Sequence, residues 1–308
     1  MKQLFLPLGL ILAIIFTFIL PEGGIFLSNH HGLKTLVFII FLVSGYQTGS
    51  KGIALDNKLA LLFFTAATIS LFLAPLLGLA ISRILDFPFH LAMGLIITST
   101  VPPTLSSGVV ITEVSHGNGV LALFLTISLN LLGIFTMPFV LDFCLKAAGP
   151  VDIDQFALLT KMLFFVLFPF IIGKSIRNMR KTRQIMPHWN TINSSCVILI
   201  VYSSLATSKA AFAGLGVAEY MMILAGVAGV HLLLLAITHQ AGRILKLKVA
   251  DSRAMLFVTS QKTLPISLAI LASVKFDTGN AIIVCIIFHF FQLFVDSFLA
   301  AAMQKTVP

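Results

Sequence analysis

Ile96-Ile97-Thr98-Ser99-Thr100-Val101-Pro102-Pro103-Thr104-Leu105-Ser106-Ser107-Gly108 lies inside one long apolar run, and Val258-Thr259-Ser260-Gln261-Lys262-Thr263-Leu264-Pro265-Ile266-Ser267 lies inside another. The tandem prolines of the first run and Pro265 of the second remove backbone donors and push the residue before them out of the helical region, so neither run is expected to be one continuous helix. In hydrocarbon every freed amide and carbonyl must find a partner, so a broken backbone at mid-membrane depth is expected only where it lines a protein cavity or binds something. Both breaks carry hydroxyls, and the second adds an amide and an ammonium.

The rest of the chain confirms that hydrocarbon is its solvent. Of 308 residues, 58% are apolar and only 10% charged, and the mean hydropathy is +1.05. A soluble domain carries roughly a quarter charged residues. The apolar residues come in unbroken runs rather than in short alternating segments, which points to helices and not to a barrel. A secreted disulfide scaffold, a soluble enzyme and a nucleic-acid binder are all disfavoured, the last despite a net charge of +9. Cys144, Cys196 and Cys285 are scattered in apolar runs and read as core residues. Lys2 and the run after it read as a first spanning helix rather than a cleaved leader.

A span needs about 20 mostly apolar residues. Runs near 4–20, 33–48, 59–84, 90–114, 120–145, 156–177, 192–207, 220–245, 253–274 and 281–303 predict about ten helices. Turn formers separate them, among them Pro21-Glu22-Gly23-Gly24, Asp86-Phe87-Pro88, His116-Gly117-Asn118-Gly119 and Gly149-Pro150. Lys and Arg favour the N-terminal side, with the segment Lys174 to His188 as the main anchor, which predicts both termini in the cytoplasm. An inner (plasma) membrane location is expected.

The breaks fall in the fourth helix of each set of five, and Thr98-Ser99 with Thr104-Leu105 weakly resembles Thr259-Ser260 with Thr263-Leu264. Two five-helix repeats of opposite orientation follow, because five is odd. Interrupted helices at matching places in inverted halves mark the central site of a transporter. Lys262 is costly at mid-span. Two roles fit it: an ammonium standing in for a cation at half-helix C-terminal ends, or a proton carrier. Its candidate partners are freed carbonyls, Ser107 and Asp296. His289, Gln292 and Asp296 are three and four apart and form one helix face, expected to point inward. His231 and His239 read as core or interfacial. Ser70, Thr126, Ser128 and Asn130 could offer oxygens to a hard cation. No metalloprotease, Walker-loop or dinucleotide motif occurs, so an enzyme is not expected.

The stretch from Val101 through Gly108 to Gly119, together with Ser260-Gln261-Lys262-Thr263-Leu264-Pro265 and Phe288-His289-x-x-Gln292, resembles the bile acid:sodium symporter family, solute carrier family 10, most of all its member-7-like branch. The resemblance implies a panel domain (residues 1–50 and 153–210; helices one, two, six and seven). It also implies a core domain (residues 55–148 and 218–304) in which broken helices four and nine cross. It implies two sodium ions behind the crossing and an organic anion in the cleft. Carried across, the fourth-helix hydroxyl falls on Ser107, the fifth-helix threonine on Thr126, the ninth-helix glutamine on Gln261 and the tenth-helix histidine on His289, while Ser70 stands where the family has a glutamine. Together with the residues read directly from the breaks, the expected ion or coupling set is Ser70, Ser107, Thr126, Ser260, Gln261 and Lys262. The substrate cleft is Pro103, Thr104, Ser106, Thr263, His289 and Gln292. The family's sodium-bridging glutamate falls on Phe257, its fourth-helix asparagine on Gly108 and its fifth-helix serine on Ala122, so the expected sodium site is degraded.

The expectation is therefore an all-α secondary transporter moving a small, organic, anionic solute by alternating access. Its partners are that solute and the bilayer, with no nucleic acid, no cofactor unless sodium couples transport, and no stated oligomeric state. The alternatives are a sodium-independent or proton-coupled carrier, and a non-transporting regulator linked to calcium homeostasis.

Overall fold

The computed structural model describes residues 5–47, 56–105, 107–149, 151, 153–179, 189–207, 214–274 and 280–304. Ser106 and residues 180–188 of the basic segment lie outside this set. The described residues form thirteen helices and no strand: α1 (Phe5–Ile19), α2 (Pro21–Asn29), α3 (Gly32–Gln47), α4 (Asn57–Ile84), α5 (Phe89–Thr100), α6 (Ser107–Val114), α7 (Gly119–Ala148), α8 (Gln155–Met179), α9 (Trp189–Thr207), α10 (Val217–Ile244), α11 (Val249–Ser260), α12 (Leu264–Leu271) and α13 (Ala281–Gln304).

Among the described residues each apolar run is helical apart from its ends and the two breaks. Six stretches among the described residues are long and apolar enough to cross a membrane: α4, α7, α8, α10, α11 with α12, and α13. Counting the bent pair α1 and α2 as one span makes seven. The exposed Leu, Ile and Phe side chains on α1, α4, α7 and α8 are what a lipid-facing surface requires. Polar caps set the helix starts outside the apolar runs: Asp56 accepts from the Leu59 amide, Asn118 from Leu121 and Asp154 from Ala157.

One connection differs from expectation. Pro21-Glu22-Gly23-Gly24 is not a turn but the start of α2, bent 99° from α1. Proline is tolerated in a first helical turn, where its missing N–H is not needed. Gly24 lets α2 lie directly on α9, since a Cβ there would sit 2.5 Å from that of Ala206.

The helices sort into two layers. α1, α2, α3, α8 and α9 pack chiefly on one another, and α4–α7 pack with α10–α13. In the first layer α3 and α8 touch backbone to backbone, because Cβ atoms at Gly45 and Gly173 would come within 2.0 Å of the Phe170 and Leu42 carbonyl oxygens. The layers meet where α12 touches α3 and α9, and where α7 touches α8.

Two helix pairs of the second layer match each other. Val217 follows Asn57 by 160 residues and Val249 follows Phe89 by the same interval, so the pairs α4–α5 and α10–α11 match in length and spacing. Their junctions match atom for atom. Leu85, Asp86 and Phe87 donate to Ile81, Arg83 and Ser82; Leu245, Lys246 and Leu247 donate to Ala241, Arg243 and Gly242. Asp86 and Lys246 both take φ 50°.

Candidate functional site

The two breaks meet at the centre of the second layer. α5 ends at Thr100 and the chain runs extended from Val101, as the residue before a proline must. α11 ends at Ser260, Gln261 is extended, and Pro265 opens the next half-helix inside its first turn. The broken span 249–271 has 94% of its apolar window buried, against 33–50% for the other five spans, so it is the interior element. The crossing itself is a backbone hydrogen bond, Thr263 N–H to the Pro102 carbonyl at 3.1 Å.

Several of the backbone groups freed here have partners. The Lys262 amide donates to Gln292 Oε1 (2.8 Å), and Gln292 Nε2 donates back to the Lys262 carbonyl (2.7 Å). The Pro103 carbonyl accepts from Asn130 Nδ2 (3.0 Å). The Val101 carbonyl, at the C-terminal end of α5, accepts from Lys262 Nζ (3.2 Å). That ammonium also donates to the Ser70 carbonyl (2.5 Å) and lies 3.3 Å from Ser70 Oγ.

The Ser70 carbonyl is available for a local reason. Residues Thr68–Leu73 form a π turn within α4, in which the Ala74 amide donates to Ile69. The next amide along would reach Ser70, but it belongs to Pro75, which has no N–H. The chain thus makes an orphan carbonyl inside α4, and Lys262 caps it.

A second chain of polar groups runs behind the first. Gln261 Oε1 lies 2.7 Å from Thr104 Oγ1 and 2.8 Å from Ser107 Oγ. Gln261 Nε2 donates to Asp296 Oδ2 (2.7 Å), and Asp296 Oδ1 pairs with His231 Nε2 (2.9 Å). Gln261, His231 and Asp296 are fully buried.

The structure therefore brings together Ser70, Thr104, Ser107, Gln261, Lys262, Thr263 and Gln292, and redistributes their partners. Ser107 and Asp296 hold Gln261 and not Lys262. The ammonium sits at one half-helix end and a π turn, not between two half-helix ends. Ser260 turns its hydroxyl back to Leu256 (2.8 Å), as helical serines do. Gln292 clamps the break rather than lining a cleft. His289 is buried beside it, with Nδ1 3.1 Å from Gln292 Nε2 and Nε2 without a partner among the described residues. His231, read from sequence as a core residue, is the partner of Asp296. The signal that could have found it is Asp296 itself, a carboxylate at mid-span that needs a cation or donors. His239 is exposed.

The donor set does not suit a sodium ion. The Gln261 carbonyl oxygen and the Thr104 and Ser107 hydroxyls satisfy one another, and Ser70 is taken by an ammonium. Phe257, Gly108 and Ala122 stand where the resemblance places three oxygen donors. Of the implied ligands, the Thr126 hydroxyl alone has no partner among the described residues. No group of three His, Cys, Asp or Glu side chains is gathered among those residues.

Comparison with known proteins fits this architecture. Residues 3–305 match the SBF-like CPA transporter family. The chain is 31% identical over 315 residues to the probable sodium/metabolite cotransporter BASS4, chloroplastic, of Arabidopsis thaliana, covering 96% of this chain and 71% of that protein. It is 25% identical to solute carrier RCH1 of Candida albicans, over 71% of this chain and 59% of the relative. It is also 25% identical to sodium/bile acid cotransporter 7 of Danio rerio, over 64% and 61%.

Proposed function

The chain belongs to the SBF-like CPA transporter family, and from that premise we propose that it is a secondary transporter moving a small organic anion across a membrane by alternating access, with Lys262 supplying the fixed positive charge that a coupling cation would otherwise bring. One observation carries the reading: Lys262 Nζ caps the C-terminal carbonyl of α5 and the orphan carbonyl of Ser70, the kind of position where a bound cation is stabilised by half-helix ends and unwound backbone. The N-termini of α6 and α12 open at the same breaks and favour negative charge, which supports an anionic solute.

The two layers supply the bodies that alternating access needs. The first corresponds to the panel and the second to the core, so relative motion would expose the crossing to one side and then the other. The matched pairs α4–α5 and α10–α11 support an internal repeat, and five spans per repeat would make the halves inverted. Ten spans are reached when α1, α3, the two broken pairs and α9 each count as one crossing. The distribution of basic residues supports both termini on the cytoplasmic face, and a plasma (inner) membrane is part of the same reading.

The test is uptake into proteoliposomes. Purified protein is reconstituted and offered a panel of radiolabelled carboxylates with sodium gradients, proton gradients or none, followed by counterflow. Saturable, protein-dependent accumulation of a carboxylate supports the reading. Absence of counterflow for every solute in folded protein, or flux unaffected by Lys262→Met, overturns it.

A further inference from the structure

Two lysines of the first layer stand together at one end of the seam between the layers. Lys34 lies in the opening turn of α3 and Lys161 in the second turn of α8, and both are exposed. With the end of α12 they bound a cavity of about 60 Å³, room for about four to six waters. Ten of the thirteen residues on its wall are apolar; the others are the two lysines and Ser273, and none is acidic. Along α12 the wall runs from Ser273 to Ile266, a rise of about 10 Å. Ile266 follows the proline that opens this half-helix after the second break. No residue of either break itself lines the cavity, so it lies ahead of the crossing.

The two ammonium groups still have donors to give. Lys161 Nζ donates to the Ser273 carbonyl across the seam (3.1 Å), at a helix C-terminal end where partial negative charge favours a cation. That contact fixes the ammonium at the cavity and uses one of its three N–H groups. Lys34 Nζ lies 5.9 Å from the centre of the Phe165 ring, part of the same wall, and has no hydrogen bond or ion pair among the described residues. Two like charges at one mouth repel unless something negative lies between them. Behind them the wall is apolar. The chemical complement of this arrangement is one carboxylate carrying a short apolar tail.

We propose that this cavity is an entry site for the transported anion, distinct from the crossing: Lys34 and Lys161 take the carboxylate, and the tail lies along α12 between Ala269 and Ile266. The proposal rests on the transport reading and adds to it the port of entry and the form of the solute. The anion is held by the first layer while its tail touches the second, so the site is built on the seam that alternating access must open. Val166 separates the cavity from a smaller one whose wall includes Leu105 of the first break, which marks the way inward.

The test reads binding first. Protein in phosphatidylcholine nanodiscs is titrated, by thermal shift at constant ionic strength, with the straight-chain carboxylates from acetate to octanoate and with the matching alcohols. At least one carboxylate is expected to stabilise the protein and its alcohol is not. Lys34→Gln and Lys161→Gln are each expected to weaken that binding about three- to fivefold, the range of a partly exposed charge pair, and the double variant about tenfold or more. Arginine at either position should retain it, and Ala269→Phe, which fills the cavity and keeps both charges, should abolish it. Equal stabilisation by alcohol and carboxylate, no stabilisation by any carboxylate, or binding undiminished in the double variant would overturn the proposal. So would lysine-dependent stabilisation by phosphatidylglycerol nanodiscs without any by short carboxylates, which would make the cavity a lipid site. Lysine-dependent carboxylate binding without counterflow would count against the transport reading alone, and counterflow unchanged in the double variant would overturn the entry site and leave transport standing.

Discussion

Replacing Lys262 by Met removes the ammonium and keeps the length and apolar character of the stem. Two carbonyls, of Ser70 and Val101, lose their donor in a site closed to water. Each unsatisfied buried acceptor costs about 1–3 kcal/mol, for a loss of roughly 2–6. The ammonium no longer has to be held in hydrocarbon, which returns about 2.5–3.5 kcal/mol on insertion scales. The net effect lies between about −1.5 and +3.5 kcal/mol, small because two large terms oppose each other. The sharper signal is in ion dependence. The hole left behind is lined by two carbonyls and the Ser70 hydroxyl, a partial shell for a hard cation. Thermal unfolding of purified protein should therefore be indifferent to sodium in the wild type and sodium-stabilised in Lys262→Met, by about 1.4 kcal/mol when sodium exceeds Kd tenfold. Choline at equal ionic strength is the control. Sodium stabilisation of the wild type that survives Lys262→Met unchanged would refute the reasoning, since the cation would then sit somewhere Lys262 does not occupy.

Other substitutions separate the clamp from the packing. Gln292→Leu strips both partners from the Lys262 peptide and should cost about 2–4 kcal/mol, read as a fall in Tm with loss of uptake; Gln292→Glu, which can still accept from the amide, should cost less. Pro75→Ala gives Ser70 the amide it lacks, so Lys262→Met should become milder in that background, a coupling measurable by a double-mutant cycle. Gly45→Ala and Gly173→Ala each drive a methyl into backbone, where no side chain can yield, and should destabilise by about 3 kcal/mol or more. His231→Gln should be tolerated better than Asp296→Asn if the imidazole serves as a donor, because asparagine cannot accept at both positions that Gln261 and His231 occupy.

Much of this was legible because hydrocarbon leaves the chain few choices. Apolar runs must be helices, prolines at 102, 103 and 265 must break two of them, and a lysine at a break must find acceptors. What the sequence withheld was which acceptors. Ser70 was visible as a hydroxyl, yet its carbonyl does more, and that depends on a one-residue widening of α4 that the proline five positions later makes favourable. The pairing of Gln261 with Asp296 was hidden for a related reason. Helical spacing shows that 289, 292 and 296 share a face, but it cannot say which of two adjacent residues, Gln261 or Lys262, that face will meet. The extended conformation at the break sends consecutive side chains to opposite sides. Gln261 goes to Asp296 and Lys262 to Ser70, so amide and ammonium serve different helices.

That division has a mechanical consequence. Lys262 ties the second break to α4 and α5, and Gln261 ties it to the first break and, through Asp296 and His231, to α13 and α10. Each half of the crossing is held by groups on the other. The crossing should therefore move as one body when the layers shift.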